Sequence, residues 1–594
     1  MYHRIDFIQL FLVGMKKWVV TAKGADFNKI ANDFGISPYL ARIIVNRGAT
    51  SNEEIDMFLS ADLSKMHDPR KLPNIEDAVS VIADATEAQV PIRIVGDYDI
   101  DGVCASFILK KGLESAGAVV DVRLPERIKD GYGINENIIR SANDDGIELI
   151  ITCDNGIAAA KETELAASLG MSVVITDHHE VPYEEADGNR KYIIPYADAV
   201  VDPKLPDSKY PFDGICGAMV AYKLIYCLYM HSEIGELVQN KEALLEEFIS
   251  FAAFATVGDI MELRDENRIA VKRGLEILRH TANTGMKALI EATAIDPKTV
   301  SAYHIGFILG PCINATGRLE TADAALELFC EEDHDAALER ARELVRINES
   351  RKNMTQAFTN KAIKTVESDY ADDRVLVVYI PECHESLAGI VAGRLRESFY
   401  KPSIVLTDDA EGNIKGSGRS IEAYPMYDEL CKVKDLFTKF GGHKMAAGLS
   451  MPAGTADKLR ERLNSSCTLT DDDLVEKVRI DIPLPLSYVD AGFVRELDRL
   501  EPYGVANPRP LFAQKDVPIR NMEVLGKNKN VLKLMLETAD RSGAPRIMEA
   551  VYFGDAAAAY DKLSGRKSVS VLYQPEFNDF NGRRSIRLVV KDFM

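Results

Sequence analysis

The chain has 594 residues, 46% of them hydrophobic, and a formal net charge of −21; such a length exceeds a single core and predicts about three or four domains. No uninterrupted apolar run of about eighteen residues occurs, so no membrane-spanning helix is expected. Nine cysteines without one Cys-x-x-Cys pair exclude a disulfide framework and a zinc ribbon and point to a reducing compartment, the cytoplasm. The acidic total disfavours nucleic acid, which is bound through phosphate neutralisation. Basic residues nevertheless cluster at Arg346, Arg351 and Lys352, at Lys432, Lys434, Lys439 and Lys444, and at Arg583, Arg584 and Arg587, which allows a positive groove on an acidic body.

Residues 1–14 have a short apolar centre broken by Asp6 and Gln9, with no Ala-x-Ala cleavage site, and read as a non-secretory extension upstream of a natural start at Met15. Residues 15–85 predict short helices and loops. From 90 to 205 apolar strands alternate with helical stretches: Ile92–Val95, Glu148–Thr152, Met171–Thr176 and Ala199–Val201 are strand-like, which predicts a parallel, doubly wound sheet. Residues 214–330 read as mainly helical. Residues 335–367 lack Pro and Gly and carry Leu338, Ala341, Val345 and Ile347 at helical spacing, enough for a connecting helix of about 50 Å. A second α/β unit opens with Arg374–Ile380 and holds Ser403–Thr407. Beyond about residue 470 the texture is all-β, with alternation in Ser568–Tyr573 and Ser585–Val590 and a hairpin signal at Asn581-Gly582, as in a small OB-type barrel. The expected divisions are 1–85, 86–334, 335–367, 368–465 and 466–594.

Asp97-Tyr-Asp-Ile-Asp-Gly102 begins like a calcium loop of the EF-hand type, but the twelfth position holds Ile108 instead of the required glutamate, and a strand precedes it where a helix is needed. Three further apolar runs end in acid or histidine: Leu149–Cys153 at Asp154-Asn-Gly, Val173–Thr176 at Asp177-His178-His179, and Ala255–Gly258 at Asp259. One aspartate after a strand is most often a helix N-cap. Four such sites in one α/β domain converge where ligands bind, outside the carboxyl ends of the strands. Carboxylates with imidazole and no thiolate select Mg²⁺ or Mn²⁺. Five or more acidic groups are too many for one ion, and a bridged pair suits in-line displacement at phosphorus.

In that order the four motifs resemble those of the DHH phosphoesterase family. Cys-Ile-Asn-Ala-Thr-Gly-Arg (312–318), Gly-Ser-Gly-Arg-Ser (416–420), Phe-Gly-Gly-His-Lys-Met-Ala-Ala-Gly (440–448) and Pro-Tyr-Gly-Val-Ala-Asn-Pro-Arg-Pro (502–510) are similar to the family's bacterial single-stranded-DNA exonucleases, over nearly the whole chain from Met15. The resemblance implies that Asp99 and Asp101 bind one metal each, that Asp154 bridges, that His178 and Asp259 complete the second ion, and that Asp97 is a further ligand. It implies two ions, Mn²⁺ or Mg²⁺, with His179 at the scissile phosphate. Arg318 and Arg419, joined by Arg127, are expected to grip a 5′-phosphate, with Ser417 and its neighbouring glycines offering hydroxyl and backbone donors. His384, Gly442 and His443 are expected to face substrate. Cys383 stands where relatives often show a tryptophan; if that ring stacks a base, the contact is missing here. The longer relatives' additional C-terminal region is expected to be absent.

The implied activity is 5′→3′ removal of nucleotides from single-stranded DNA, in DNA repair and recombination. The implied partners are single-stranded DNA with a 5′ end, a single-strand-binding protein and a helicase, and no membrane. The alternatives are a DHH phosphodiesterase of short oligonucleotides, nanoRNA or dinucleotides, and a non-catalytic replication scaffold. The terminal barrel counts against the first, and the filled acidic and histidine positions against the second. Tyr573, Phe577, Phe580, Arg583 and Arg584 are expected either to stack and track the strand or to fill the barrel core.

Overall fold

The computed structural model describes residues 16–127, 129–186, 189–526, 528–580 and 582–594; the expected extension 1–14, the Phe580 ring and Asn581 lie outside the described residues. The chain forms two compact units. One comprises Val19–Asn314, Thr321–Arg342 and Arg479–Met594, the other Ala315–Glu320 and Glu343–Val478 with residues 16–18.

In the first unit five parallel strands, β1 (Pro91–Val95), β2 (Val119–Arg123), β3 (Leu149–Cys153), β4 (Ser172–Thr176) and β5 (Ala199–Val201), are ordered β2-β1-β3-β4-β5. The order reverses between β1 and β3, and such a switch point opens a crevice at the carboxyl ends. Strands β3 and β4 are near-continuous apolar runs because both faces are covered. The exception is Arg93 in the middle of β1, which reaches Asp121 at 2.6 Å and Asp145 at 2.9 Å. Four helices matter to the site: α1 (Ile100–Ser115), α2 (Gly217–Met230), α3 (Lys241–Gly258) and α4 (Asp265–Leu278). The first three are buried on most sides, which explains their lack of a clean polar face.

The same unit holds a closed five-stranded barrel of β11 (Phe512–Leu525), β12 (Val531–Ala539), β13 (Pro545–Phe553), β14 (Ser568–Phe580) and β15 (Arg583–Phe593). Strands β13 and β15 pair in parallel, β11 and β14 close the ring antiparallel, and Gly582 takes φ +74° in the β14–β15 turn. Its core is shared. Ile30, Leu40, Ile43, Ile44, Ile55 and Phe58 of the N-terminal helices form one buried cluster with Leu484, Phe493, Leu497, Phe512, Leu534 and Tyr573. Arg47 pairs with Asp481 at 2.5 Å beneath it.

The segment leading into the barrel also grips α4. Arg268, fully buried, donates to the carbonyl oxygens of Phe58 (2.6 Å), Glu501 (2.8 Å) and Pro502 (3.1 Å), and burial lowers its pKa to about 9. Val505 accepts from the Leu263 amide at 2.9 Å, and a Cβ on Gly504 would meet the Leu263 side chain at 2.6 Å, so the motif 502–510 is a docking turn.

Helix α6 (His334–Asp369) runs for 36 residues, as the absence of Pro and Gly predicts. In the second unit five strands, β6 (Leu376–Tyr379), β7 (Ser403–Asp408), β8 (Ile414–Arg419), β9 (Lys439–Gly442) and β10 (Ala446–Met451), are ordered β9-β10-β8-β7-β6, and α7 (Glu385–Phe399) packs on β7 and β8.

Three expectations change here. Gly416–Arg419 is a strand paired on both sides, so its amides serve the sheet and Ser417 offers its hydroxyl alone. Cys383 is buried in the apolar cluster with Leu387, Val391 and Val405, so position 383 packs under the sheet edge and presents no stacking surface. Tyr573 is fully buried and donates its hydroxyl to the Leu484 carbonyl, which assigns it to the barrel core.

Candidate metal centre

The crevice is built from short local devices. Gly96 ends β1, and Asp97 follows with its side chain buried. Asp99 caps α1, accepting from the amides of Asp101 (2.9 Å) and Gly102 (3.2 Å). Gly102 closes the motif for a packing reason: a Cβ there would lie 2.4–2.6 Å from the Asp97 backbone. Asp101, on the first turn, points its carboxylate at the amino end of α2 and accepts from Gly217 (2.6 Å) and Ala218 (2.8 Å).

Asp154 follows β3 in left-handed backbone, φ +61°, a region that few non-glycine residues enter and that aspartate tolerates better than most. Its neighbours hold it there. The Tyr132 hydroxyl donates to its carbonyl at 2.8 Å, and a Cβ on Gly217 would meet its own Cβ at 2.7 Å. The Nε2 of His178 lies 3.0 Å from Asp154, 3.5 Å from Asp101 and 4.0 Å from Asp259.

Asp259 corrects the strand-end reading of Ala255–Gly258: these residues are the last turn of α3, and Asp259 caps its carboxyl end. Burial among helices makes that turn as apolar as a strand. The acid joins the cluster because Asn267 of α4 ties its loop in place, donating to the carbonyls of Gly214 (2.7 Å) and Glu262 (3.1 Å).

Potential ligand atoms gather in three groups whose members all lie within 4.8 Å of one another: Asp97 with Asp99 and Asp154; Asp101 with His178 and Asp259; and Asp154 with His178 and His179. Asp154 belongs to two of them. Burial, then the neighbouring carboxylates, raise the pKa values of Asp97, Asp99 and Asp154, and push that of Asp259 up to about 8. Burial lowers that of His178, which keeps the ring neutral and able to ligate. The buried Asp97 Oδ1 and His178 Nδ1 have no hydrogen-bond partner among the described residues. Crowded carboxylates and unsatisfied polar atoms of this kind fit divalent cations, which supply the missing positive charge.

His179 is held differently. Its Nδ1 lies 2.7 Å from Asp177, which also accepts from the amides of Ile157, His178 and His179. Burial opposes the imidazolium, but the Asp177 hydrogen bond and charge outweigh it and raise the ring to about 9. Tyr132 stands 3.2 Å away. Arg127 reaches the same side, its guanidinium 4.8 Å from the centre of the Tyr98 ring and its charge felt by Asp97.

Sequence reasoning missed Tyr132, the amides of Gly217 and Ala218, the orienting role of Asp177, and Asp202. Asp202 follows β5 directly, the same apolar-run-then-acid signature, and burial followed by the charge of Asp177 pushes it to about 7.

The phosphate-gripping candidates of the second unit gather at the amino end of α7. The Arg318 guanidinium donates to the Ser386 carbonyl (2.8 Å), and the Arg318 carbonyl accepts from the Ser386 hydroxyl, which lies 2.7 Å from His384 Nδ1. Arg419 donates to Ser417 Oγ at 3.2 Å, and both pack so closely on Gly389 that a Cβ there would stand 2.8 Å from each. Gly442, paired with Ala447, is the exposed last residue of β9, and His443 opens the β9–β10 turn. Gly442 has φ +153° and leaves no room for a Cβ, while the His443 amide donates to Ala446.

A switch-point crevice lined by five carboxylates and two imidazoles, with a separate mixed-sheet domain and a closed barrel, defines a DHH-type phosphoesterase with an appended OB fold. Residues 91–256 match the model of the DHH family's N-terminal domain, 372–468 that of the DHHA1 domain and 480–592 that of the RecJ OB domain. The single-stranded-DNA-specific exonuclease RecJ of Bacillus subtilis is 33% identical over 585 residues, covering 98% of this chain and 71% of the relative. The crystal structures of RecJ from Thermus thermophilus in complex with Mn²⁺ and with Mg²⁺ superpose with TM-scores of 0.80 and 0.74 at 25% identity, each over 97% of this chain and over 79% and 78% of theirs. The chain belongs to the RecJ family.

Proposed function

We infer that the chain is a metal-dependent exonuclease specific for single-stranded DNA, working 5′→3′ in DNA repair and recombination. The observation that carries this reading is the meeting of two ligand groups at Asp154, on the fold of a family of single-stranded-DNA-specific exonucleases that is matched over 98% of this chain.

We propose Asp97, Asp99 and Asp154 as the holders of one cation and Asp101, His178, Asp259 and Asp154 as the holders of a second, Mn²⁺ or Mg²⁺ as in the Thermus relative. Bound ions of this kind supply a hydroxide nucleophile at neutral pH and charge to offset the phosphorane. The chain's own part is positional. Asp101, fixed by two amides, and Asp99, fixed as an N-cap, present carboxylates without rearrangement. Neutral His178 offers a lone pair. His179, kept protonated by Asp177, is placed to donate a hydrogen bond to the scissile phosphate and to support the departing 3′-oxygen.

Arg318, Arg419, Ser417 and His384 present two guanidinium groups and a hydroxyl near a helix amino end, a chemistry suited to a terminal 5′-phosphate. Arg127 is assigned to a phosphate on the metal side, and Gly442 and His443 to the passing strand. The barrel assists in holding that strand. The expected suppliers of such strands are a helicase, with a single-strand-binding protein coating the product, in the cytoplasm; among the described residues no helix is long and apolar enough to cross a membrane.

The deciding experiment is a product ladder from 5′- and 3′-labelled single strands with Mn²⁺, Mg²⁺ or EDTA. Mononucleotides released first from the 5′ end, only with metal, are expected. Release from the 3′ end, or internal cuts, would replace the reading.

A further inference from the structure

Beside the metal cluster the protein exposes two aromatic rings to solvent. Tyr303 is 62% and Phe307 66% exposed, and their rings stack on each other at 5.0 Å between centroids and 28° between planes. An apolar pair this open, stacked ring on ring in solvent, marks a surface that meets something. The backbone beneath is also unusual: Ile305–Leu309 winds as a π-helix, a rare form that is frequent at functional sites.

Glycines fix where the pair stands. A Cβ on Gly306 would be 3.9 Å from Val257, two residues before Asp259. A Cβ on Gly310 would be 3.1 Å from Ile100, and one on Gly258 would be 2.4 Å from the same side chain. Ile100 lies between Asp99 and Asp101, and its amide donates to Asn314 Oδ1 at 2.8 Å. The segment carrying both rings is therefore packed directly on the residues that shape the cluster. Ile260, immediately after Asp259, is itself 71% exposed in left-handed backbone, φ +62°. The rings thus stand on a segment whose inner side packs on Val257 and Ile100, the neighbours in sequence of Asp259, Asp99 and Asp101.

A single strand threaded past a carboxylate-lined metal site offers its phosphates inward and its unpaired bases outward. Every base has a flat apolar face, and stacking on aromatic rings holds it without regard to sequence. We propose that Tyr303 and Phe307 form a base-stacking platform for the substrate strand beside the metal cluster, a proposal that rests on the exonuclease reading above.

The test compares the wild type, Tyr303→Ala/Phe307→Ala and the ring-conserving Tyr303→Phe/Phe307→Tyr on two 5′-phosphorylated 20-nucleotide strands, one with natural bases and one abasic over its first six positions. Each ring's exposure means the variants should keep the wild-type melting curve. Stacking of one to two bases predicts a KM about tenfold higher for the alanine variant on the base-bearing strand. Its kcat should stay within about threefold, its KM on the abasic strand should be unchanged, and the ring-conserving variant should behave as wild type. A second readout needs no turnover: in EDTA, 2-aminopurine placed at successive positions should be quenched on binding by the wild type and not by the alanine variant. Wild-type KM and wild-type quenching in the alanine variant would overturn the platform while leaving the exonuclease reading standing. Failure of the wild type to cut either strand would overturn both.

Discussion

Because the barrel's core includes the N-terminal helices, removing the barrel should not leave a tidy catalytic remnant. Truncation after Arg479 strips the partners of Ile30, Leu40, Ile43, Ile44, Ile55 and Phe58, all buried in the joint cluster. At about 1.5–3 kcal/mol per large apolar side chain the six represent about 9–18 kcal/mol, an upper bound. Even half of that rivals the whole stability of a domain, about 5–15 kcal/mol. Arg268 would also lose its Glu501 and Pro502 acceptors. The truncated chain should therefore bind hydrophobic dyes, aggregate, and be cleaved by protease within residues 27–59. Removing residues 16–57 as well, which keeps the Phe58 carbonyl that Arg268 also donates to, should restore a compact protein that still hydrolyses oligonucleotides of about six nucleotides, since every proposed metal-holding residue lies between 97 and 259. Affinity for strands of about forty nucleotides should fall, with a shallower salt dependence as barrel phosphate contacts are lost. The assay is limited proteolysis with mass mapping, alongside circular dichroism and cleavage of both lengths at matched salt. If residues 27–59 stay as protected in the single truncation as in the full chain, the shared-core argument is wrong.

Asp154→Ala should cut turnover by about 10²-fold or more, the scale of losing a preorganised electrostatic element, with the fold retained, since the easing of carboxylate repulsion offsets the cost of alanine at φ +61°; more than a tenth of wild-type turnover would remove Asp154 from the bridging role. Mn²⁺ at about 100 times its Kd should stabilise the wild type by about 2.7 kcal/mol, read as a melting shift of about 3 °C for a unit of this size, and Asp154→Ala should flatten that response. Arg318→Ala and Arg419→Ala should each reduce the preference for a 5′-phosphorylated over a 5′-hydroxyl end by about tenfold, as a charged hydrogen bond worth about 1.5–3 kcal/mol implies; undiminished preference in both variants would exclude them from end recognition.

What stretches such as 91–102 and 149–154 say locally is enough to read four of the sheet's five strands and most of its acids, because buried parallel strands are written as continuous β-branched runs and a helix start as an aspartate cap. The half-exposed edge strand Val119–Arg123 lacks that signal and is missed. The 36-residue helix is legible for a similar reason: its signal is periodic and lies in one stretch. The resemblance carries the remaining ligands, including Asp259, whose setting at a helix end the pattern misreads because full burial erases the difference between an apolar helix turn and a strand. Only the tertiary structure decided which groups hold the acids in place. Asp101 meets amides more than a hundred positions away at Gly217 and Ala218, Tyr132 braces Asp154, and Asp177 orients His179. It also turned Gly416–Arg419 into a central strand, sank Tyr573 into the barrel, and merged the first helices with the last strands in one core. Hydrophobic pattern reports that a side chain is buried, since water is avoided equally well in any apolar company; which company it keeps depends on chain segments brought together from hundreds of residues apart.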